Sequence, residues 1–96
     1  MVAYVVVTRE EGAFDADQFA LYAQKAKVAN VAHPMTVLAR RGRMRIFEGP
    51  QLAAMSILEF PTFEAAQAWY MSAAYQEALP FRLKSGKFSC VIIEGL

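Results

Sequence analysis

Three segments of this chain carry apolar side chains at odd and even positions alike, and this feature most constrains its fold. They are Val2 to Val7, Leu52 to Leu58 and Phe88 to Ile93. A strand with one face in water alternates between apolar and polar residues, whereas a strand covered on both faces is apolar throughout. We therefore expect cover above and below these strands. The chain has enough helix to cover one face of the sheet only. We therefore expect a partner subunit to cover the other face.

Length and composition favour the same conclusion. At 96 residues the chain is predicted to form one domain, 1–96. A fold of this length buries only about two-thirds of its unfolded surface, so association would help to stabilise it. Hydrophobic residues make up 56% of the chain, which favours a homodimer paired through the uncovered sheet face.

Charge and targeting signals narrow the partners. The ten Lys and Arg nearly balance the nine Asp and Glu, and no basic stripe is interleaved with aromatic residues, so no nucleic-acid partner is expected. The amino-terminal residues lack the charged region of a signal peptide, and no apolar run approaches the roughly 20 residues that span a bilayer. We expect a soluble cytoplasmic protein without a membrane partner. The single cysteine, Cys90, lies in a strand pattern and predicts a buried, inert thiol.

A capped helix is predicted after the first strand. Asp15 stands in the N-cap position with Gln18 three residues on, which is a capping-box pattern. Phe14 and Phe19 flank this cap at the spacing of a hydrophobic staple. The helix therefore begins near Ala16.

The next segment predicts the end of this helix and the second strand. Pro34 disfavours helical geometry in the residue before it, so the helix is expected to end near residues 29–30. Residues 35–40 predict strand two. The charged residues 40–43 predict a tight turn that leads into residues 44–47.

The long third strand is predicted over residues 52–60, and Pro61 ends it by removing a ladder donor. Thr62 is a suitable cap for a second helix over residues 64–71. Ser72 then resembles a fresh N-cap for a short extension that ends at Pro80.

Strand four is predicted over residues 88–93, which completes the order β-α-β-β-α-β. This order predicts an α+β fold, a ferredoxin-like sandwich with a four-stranded antiparallel sheet and both helices on one face. The parity of strand one stays open, since either Tyr4 and Val6 or Val5 and Val7 could face the partner.

A set of residues spread over the whole chain is distinctive in its order. It comprises residues 59–66, Ala68-Trp69-Tyr70, Ser72, Tyr75-Gln76, Arg82 and Glu94-Gly95, with Tyr4-Val5, Arg40, Gly42 and Glu48-Gly49. This set resembles a bacterial family known as a domain of unknown function, family 1330, within the dimeric α/β-barrel superfamily.

The resemblance implies a dimer in which two ferredoxin-like sheets pack face to face into a barrel. It implies no established activity. Members usually carry glycines or other small residues where this chain has Pro34-Met35, which implies a narrower opening at the start of strand two.

His33 is the only histidine and lies at a predicted helix-to-strand junction. Histidine ordinarily titrates near neutrality, and loops often carry functional groups, so His33 is a candidate catalytic base. The alternative is a loop histidine that bonds to the backbone. One His and one distant Cys have no metal-ligand spacing, so no metal site and no cofactor are predicted.

Two arginines are candidates for holding an anion. Arg40 is a candidate catalytic residue that clamps a carboxylate or enolate oxygen, and the alternative pairs it with Glu48 across the predicted turn. Arg82 is a candidate ligand-binding residue for an anion. Its alternatives are to cap the preceding carbonyls or to bridge to Glu59.

Trp69, Tyr70 and Tyr75 are candidate ligand-binding residues that would form a pocket wall. Trp69 and Tyr70 point about 100° apart on a helix, so both cannot face the sheet equally. Packing without ligand contact is the alternative for all three.

No nucleophile elbow, phosphate loop, dinucleotide fingerprint or pair of catalytic carboxylates occurs. Members elsewhere in the superfamily include isomerases, decarboxylases and monooxygenases. The resemblance therefore implies a small cofactor-free enzyme that acts on a small organic molecule between helices and sheet. The alternative is a non-catalytic dimer that binds a small molecule or is associated with stress.

Overall fold

Four antiparallel strands form one sheet, and helices pack against one of its faces. The computed structural model describes residues 1–96. In chain order the elements are β1 (Ala3–Glu10), α1 (Ala16–Ala32), β2 (Thr36–Arg40), β3 (Leu52–Phe60), α2 (Phe63–Met71), α3 (Ala73–Ser85) and β4 (Phe88–Glu94). The sheet order β2-β3-β1-β4 confirms the predicted ferredoxin-like α+β fold.

The register of the central strand decides which residues lie under the helices. Val5 pairs with Leu58 of β3 and Ile92 of β4, and directly opposite residues share a face of the sheet. Ala3 and Val5 are fully buried in the core. We call this side the helix face.

The opposite side carries the other parity and is here called the open face. Val6 of β1 lies there between Ile57 and Val91, and Tyr4 lies beside Ile93. Val91 and Ile93 are each 57% exposed. The strands are therefore apolar on both faces, as predicted, but this chain covers only the face that contains Val5.

The core beneath the helices is built largely from small side chains. Its nine buried hydrophobic residues are Ala3, Val5, Ala26, Ala29, Phe60, Ala66, Trp69, Tyr75 and Ala78. Alanines from all three helices allow close approach between these elements. Three large aromatic side chains then fill the remaining space.

The start of α1 follows the predicted cap with one difference. The Asp15 carboxylate accepts hydrogen bonds from the backbone N–H groups of Asp17 and Gln18 at 3.0 and 3.1 Å. The Phe14 and Phe19 rings lie 5.7 Å apart, as a hydrophobic staple requires. The reciprocal half of the capping box is absent, because the Asp15 N–H donates to the Ser85 carbonyl at 2.8 Å instead.

The end of α1 lies slightly beyond the predicted residues. The helix continues to Ala32, and His33 is its C-cap, with extended backbone angles of φ −128° and ψ 90°. Pro34 restricts only the residue immediately before it, so the helix can continue up to His33.

The prediction that the second helical region ends at Pro80 is wrong. Ser72 does cap α3, since its hydroxyl accepts from the Tyr75 N–H at 3.2 Å, but the helix continues to Ser85. Pro80 lies on the exposed side, so the Gln76 carbonyl that loses its helical donor is on a solvent-facing surface. On the other side Ser85 is buried, and its carbonyl accepts a hydrogen bond from the Asp15 N–H at 2.8 Å, which holds the last turn in place.

The connection between β2 and β3 contains neither helix nor strand over residues 41–51. The turn predicted at 40–43 therefore does not lead into a further paired segment. None of the helices is long and apolar enough to cross a membrane.

The N-cap of α1 gives a first test of the fold. Asp15→Ala should lower the unfolding free energy by about 1 kcal/mol, because two backbone N–H groups lose their acceptor. Urea denaturation measures the change. Asp17→Ala is the matched control, since Asp17 lies in the same turn and serves as no cap. Equal losses for the two variants would contradict the assigned cap.

Candidate functional site

A cavity of about 340 Å³ lies between α1 and the helix face of the sheet, and we call it the α1 cavity. Small-molecule sites typically occupy roughly 300–1,000 Å³ and combine apolar walls with a few polar groups. The walls here fit that description. The apolar side chains that line it include Val7, Phe19, Met35, Leu58, Trp69 and Phe88.

The charged side chains that line this cavity all have the same sign. They are Arg9, Lys27, Arg40, Arg41 and Arg82. No Asp or Glu lies among the lining residues. A cleft with low-dielectric walls and charges of one sign concentrates counter-ions, so the α1 cavity favours anions.

Arg82 is the most deeply placed of these cations. It lies in the last turn of α3 and is only 2% exposed. Its guanidinium carbon is 5.1 Å from the Phe88 ring centroid and 5.8 Å from that of Tyr22. Its Nε and Nη1 atoms are buried and have no hydrogen-bond partner.

Neither sequence-based alternative for Arg82 is observed. The guanidinium does not bond to the preceding carbonyls, and it forms no bridge to Glu59. The one ion pair in the structure joins Lys87 to Glu10 at 3.6 Å. Arg82 is therefore a buried cation without a carboxylate partner.

Arg40 reaches the cavity because of an irregularity in β2. The register shifts between Val37 and Ala39, so that Leu38 is an extra residue and Arg40 pairs with Ser56. Ser56 and Arg40 both line the α1 cavity. In regular pairing Arg40 would lie opposite Met55 on the open face, because a one-residue slip moves a side chain to the other face.

The predicted pair between Arg40 and Glu48 does not form. Arg41, the next residue, adopts a left-handed backbone with φ 48°, and its N–H donates to the Met55 carbonyl at 2.9 Å. Its guanidinium carbon lies 5.6 Å from the Phe19 ring centroid. The end of β2 thus places two adjacent arginines on the cavity wall.

Two tyrosine hydroxyls meet behind the cavity. Tyr22 of α1 and Tyr75 of α3 share a hydrogen bond of 2.9 Å, and Tyr75 is fully buried. Burial raises the pKa of Tyr22 above its ordinary value and raises the pKa of Tyr75 further, although the Arg82 guanidinium acts in the opposite direction. Both hydroxyls therefore keep their protons at neutral pH.

The three candidate aromatic residues have different surroundings. Trp69 lines the cavity, and its indole N–H donates to Asn30 Oδ1 at 2.9 Å. Tyr75 packs against Trp69 with ring centroids 4.3 Å apart and belongs to the core. Tyr70 is half-buried beside Tyr75 and does not line the cavity.

The remaining titratable candidates lie outside the cavity lining. His33 is half-buried at the end of α1, where its backbone N–H donates to the Ala29 carbonyl at 3.1 Å. Cys90 is half-buried in β4, and burial raises the pKa of its thiol, as expected for an unreactive cysteine. No three His, Cys, Asp or Glu side chains cluster together.

Sequence reasoning missed several residues of this site. Tyr22 and Asn30 lie on α1 and contact the aromatic residues of the other helices, and Arg9 and Arg41 add charge to the cavity wall. The sequence does carry a signal for Tyr22, because Phe19, Tyr22 and Ala26 recur at the spacing of one helix face. No local pattern separates Arg9 or Arg41 from ordinary solvated arginines.

Together, the sheet order, the helix-covered face and the α1 cavity define a small ferredoxin-like protein with a candidate site between helix and sheet. The chain belongs to the family described as a domain of unknown function (DUF1330), whose model matches residues 2–96. No curated protein matches it in sequence.

Solved structures share this fold at low sequence identity. A protein of unknown function from Rhodopseudomonas palustris has a TM-score of 0.71 at 17% identity, with 99% of this chain and 82% of that chain covered. A dimeric ferredoxin-like protein of unknown function from Bacteroides fragilis has a TM-score of 0.55 at 10% identity, with coverage of 98% and 96%. SnoaB, a cofactor-independent oxygenase from Streptomyces nogalater, has a TM-score of 0.60 at 12% identity, with coverage of 99% and 92%.

The buried tyrosine pair predicts a loss of stability in alkali. Above about pH 10 the unfolded chain loses tyrosine protons that the folded chain retains, so the unfolding free energy falls as pH rises. The slope contributed is at most about 1.4 kcal/mol per pH unit for each tyrosine. The double variant Tyr22→Phe/Tyr75→Phe should show a shallower decline in urea denaturation between pH 9 and 11.

The matched control for this measurement is Tyr4→Phe, because Tyr4 lies on the open face. A change of slope in the double variant no larger than that of Tyr4→Phe would contradict the role of the buried pair.

Proposed function

We propose that the protein is a homodimer that binds a small organic molecule in the α1 cavity. The observation that carries the proposal is the cavity itself. It is a partly open and largely apolar space of about 340 Å³, and polar groups from α1, α3 and the sheet converge on it. Such a combination is the usual form of a small-molecule site.

The apolar character of the open face supports the proposed homodimer. The face carries a continuous apolar surface from Tyr4, Val6, Ile57, Val91 and Ile93. Contiguous apolar surfaces of this kind usually mark protein interfaces. The likeness to a dimeric ferredoxin-like protein from Bacteroides fragilis agrees with a twofold contact here.

The first candidate function is catalysis without a cofactor, in which the bound molecule is converted to a product. The likeness to the cofactor-independent oxygenase SnoaB supports it by analogy of fold, and the same fold hosts unrelated reactions. In this proposal the reaction is isomerase-, decarboxylase- or monooxygenase-like. Arg40 holds a developing oxyanion, and His33, two residues before the cavity-lining Met35, moves a proton.

Binding without turnover is the second candidate, and the composition of the lining favours it. The α1 cavity contains no His, Asp, Glu or Cys side chain. Burial raises the pKa of Tyr22 above its ordinary value, so its hydroxyl is protonated at neutral pH and is not a base. A catalytic base would have to come from His33 outside the lining or from the ligand.

Filling the cavity tests binding. Ala23 lines the α1 cavity, and Ala23→Phe should block the binding of 1-naphthamide and 1-naphthoate, two flat probes of matched shape. Isothermal titration calorimetry is expected to give a loss of at least about tenfold in affinity for both, because the new ring occupies the site.

Ala20→Phe is the matched control, since Ala20 is an exposed residue of the same helix outside the lining. Equal affinities for the Ala23 and Ala20 variants, or no binding of either probe to the parent protein, would overturn the proposed site.

Turnover is tested by mass spectrometry of the same probes after incubation with the parent protein in air. A new product that disappears with His33→Ala would support catalysis with His33 as the base. If the probe saturates the protein and is recovered unchanged, the non-catalytic candidate is favoured.

A charge on the open face tests the homodimer. Val91→Asp should lower the mass measured by light scattering from about two chains toward one, or render the protein insoluble, because the charge would be buried between subunits. Val28→Asp is the control, since Val28 is a similarly exposed valine on α1. A parent protein that is monomeric at micromolar concentration would contradict the dimer.

A further inference from the structure

Arg82, the most deeply buried charged group of the α1 cavity, lacks an anionic partner. The missing partner indicates the chemical class of ligand that the cavity would bind. We infer that Arg82 is the anchor of an anion subsite, which takes a carboxylate or enolate oxygen of the ligand. This inference rests on the proposed function and specifies the class of molecule that the cavity binds.

The burial of Arg82 carries the first step. An arginine side chain stays charged in proteins, so it cannot avoid the cost of burial by losing its proton. Arg82 is 2% exposed, and its Nε and Nη1 atoms have no hydrogen-bond partner. Removing such a charge from water costs several kcal/mol unless an opposite charge and hydrogen bonds compensate for it.

The protein itself compensates for this charge only in part. The rings of Phe88 and Tyr22 lie 5.1 and 5.8 Å from the guanidinium carbon, within the range of cation–π attraction. The carboxyl end of α3 adds the partial negative charge of a helix terminus. No carboxylate pairs with Arg82, and none lies among the cavity-lining residues.

The chemistry of the guanidinium indicates what would complete the site. Adjacent N–H groups in a planar fork match the two oxygens of a carboxylate or an enolate with a neighbouring carbonyl. The apolar walls on either side favour a flat hydrocarbon or aromatic body attached to that anion. Arg9, Lys27, Arg40 and Arg41 attract such a ligand, whereas Arg82 receives its charged end.

A matched pair of probes tests this inference by calorimetry. The parent protein should bind 1-naphthoate about 10- to 100-fold more tightly than 1-naphthamide, because a hydrogen-bonded charge pair replaces a neutral contact. Arg82→Met keeps the length and apolar stem of the side chain and should lower naphthoate affinity at least about tenfold, while amide affinity changes about threefold or less.

Arg41→Met is the matched control, since Arg41 is an exposed cation on the same cavity wall. It should lower naphthoate affinity about threefold or less, because exposed charges are screened. Equal losses for the Arg82 and Arg41 variants would overturn the subsite in favour of a general electrostatic effect.

Stability provides a second readout that a purely structural role would move in the opposite direction. Without a ligand, Arg82→Met should have an unfolding temperature equal to or above that of the parent, since it removes a buried unpaired charge. A lower unfolding temperature would mean that the guanidinium stabilises the empty protein, which would overturn the inference. Arg82→Gln repeats the measurement with a neutral polar side chain if the methionine variant does not fold.

The two proposals fail in different ways. If the parent protein binds both probes with equal affinity and Ala23→Phe weakens the binding of both, the anion subsite is overturned. The α1 cavity then remains a binding site. The absence of binding by either probe would overturn both.

Discussion

The packing of Tyr75 is the interaction on which the rest of the structure depends. Its ring is fully buried and lies against Trp69 and Tyr70, while its hydroxyl shares a hydrogen bond with that of Tyr22 between α3 and α1. A core built mainly of alanine leaves a space that one large ring fills. This single side chain therefore fixes how far α1 stands from α3, and with it the back wall of the α1 cavity.

The two faces of the sheet serve different purposes despite similar hydrophobicity. Against the helix face, the helices place buried or half-buried polar groups such as Arg82 and Tyr22. The open face is apolar around Val6 and Val91, and its polar residues include Thr8, Glu59 and Ser89. A two-sided apolar strand thus meets its own helices on one side and leaves its other side for the proposed subunit contact.

Local sequence patterns predicted much of this fold, whereas contacts between residues distant in the sequence determine the site. Asp15 and Ser72 cap their helices as predicted, because capping depends only on neighbouring residues. Pro80 misled the prediction because the tertiary contacts of the turn beyond it, where Ser85 is buried and its carbonyl accepts from the Asp15 N–H, compensate for one lost hydrogen bond. The position of Arg82 under two aromatic rings could not be predicted, because arginine ordinarily lies at the surface and only tertiary packing buries it here. The functional roles predicted for His33 and Arg40 stay predictions.

The extra residue at Leu38 gives the edge strand a property that substitutions cannot provide. Compared with regular pairing, the residues of β2 after this irregularity point to the opposite face of the sheet. They are Ala39 and Arg40, and Arg40 is the charged one. Loss or gain of one residue there would transfer a positive charge from the wall of the α1 cavity to the open face without altering any other amino acid. A change of length in an edge strand therefore redistributes charge between the two faces of the sheet, whereas a substitution changes only one side chain in place.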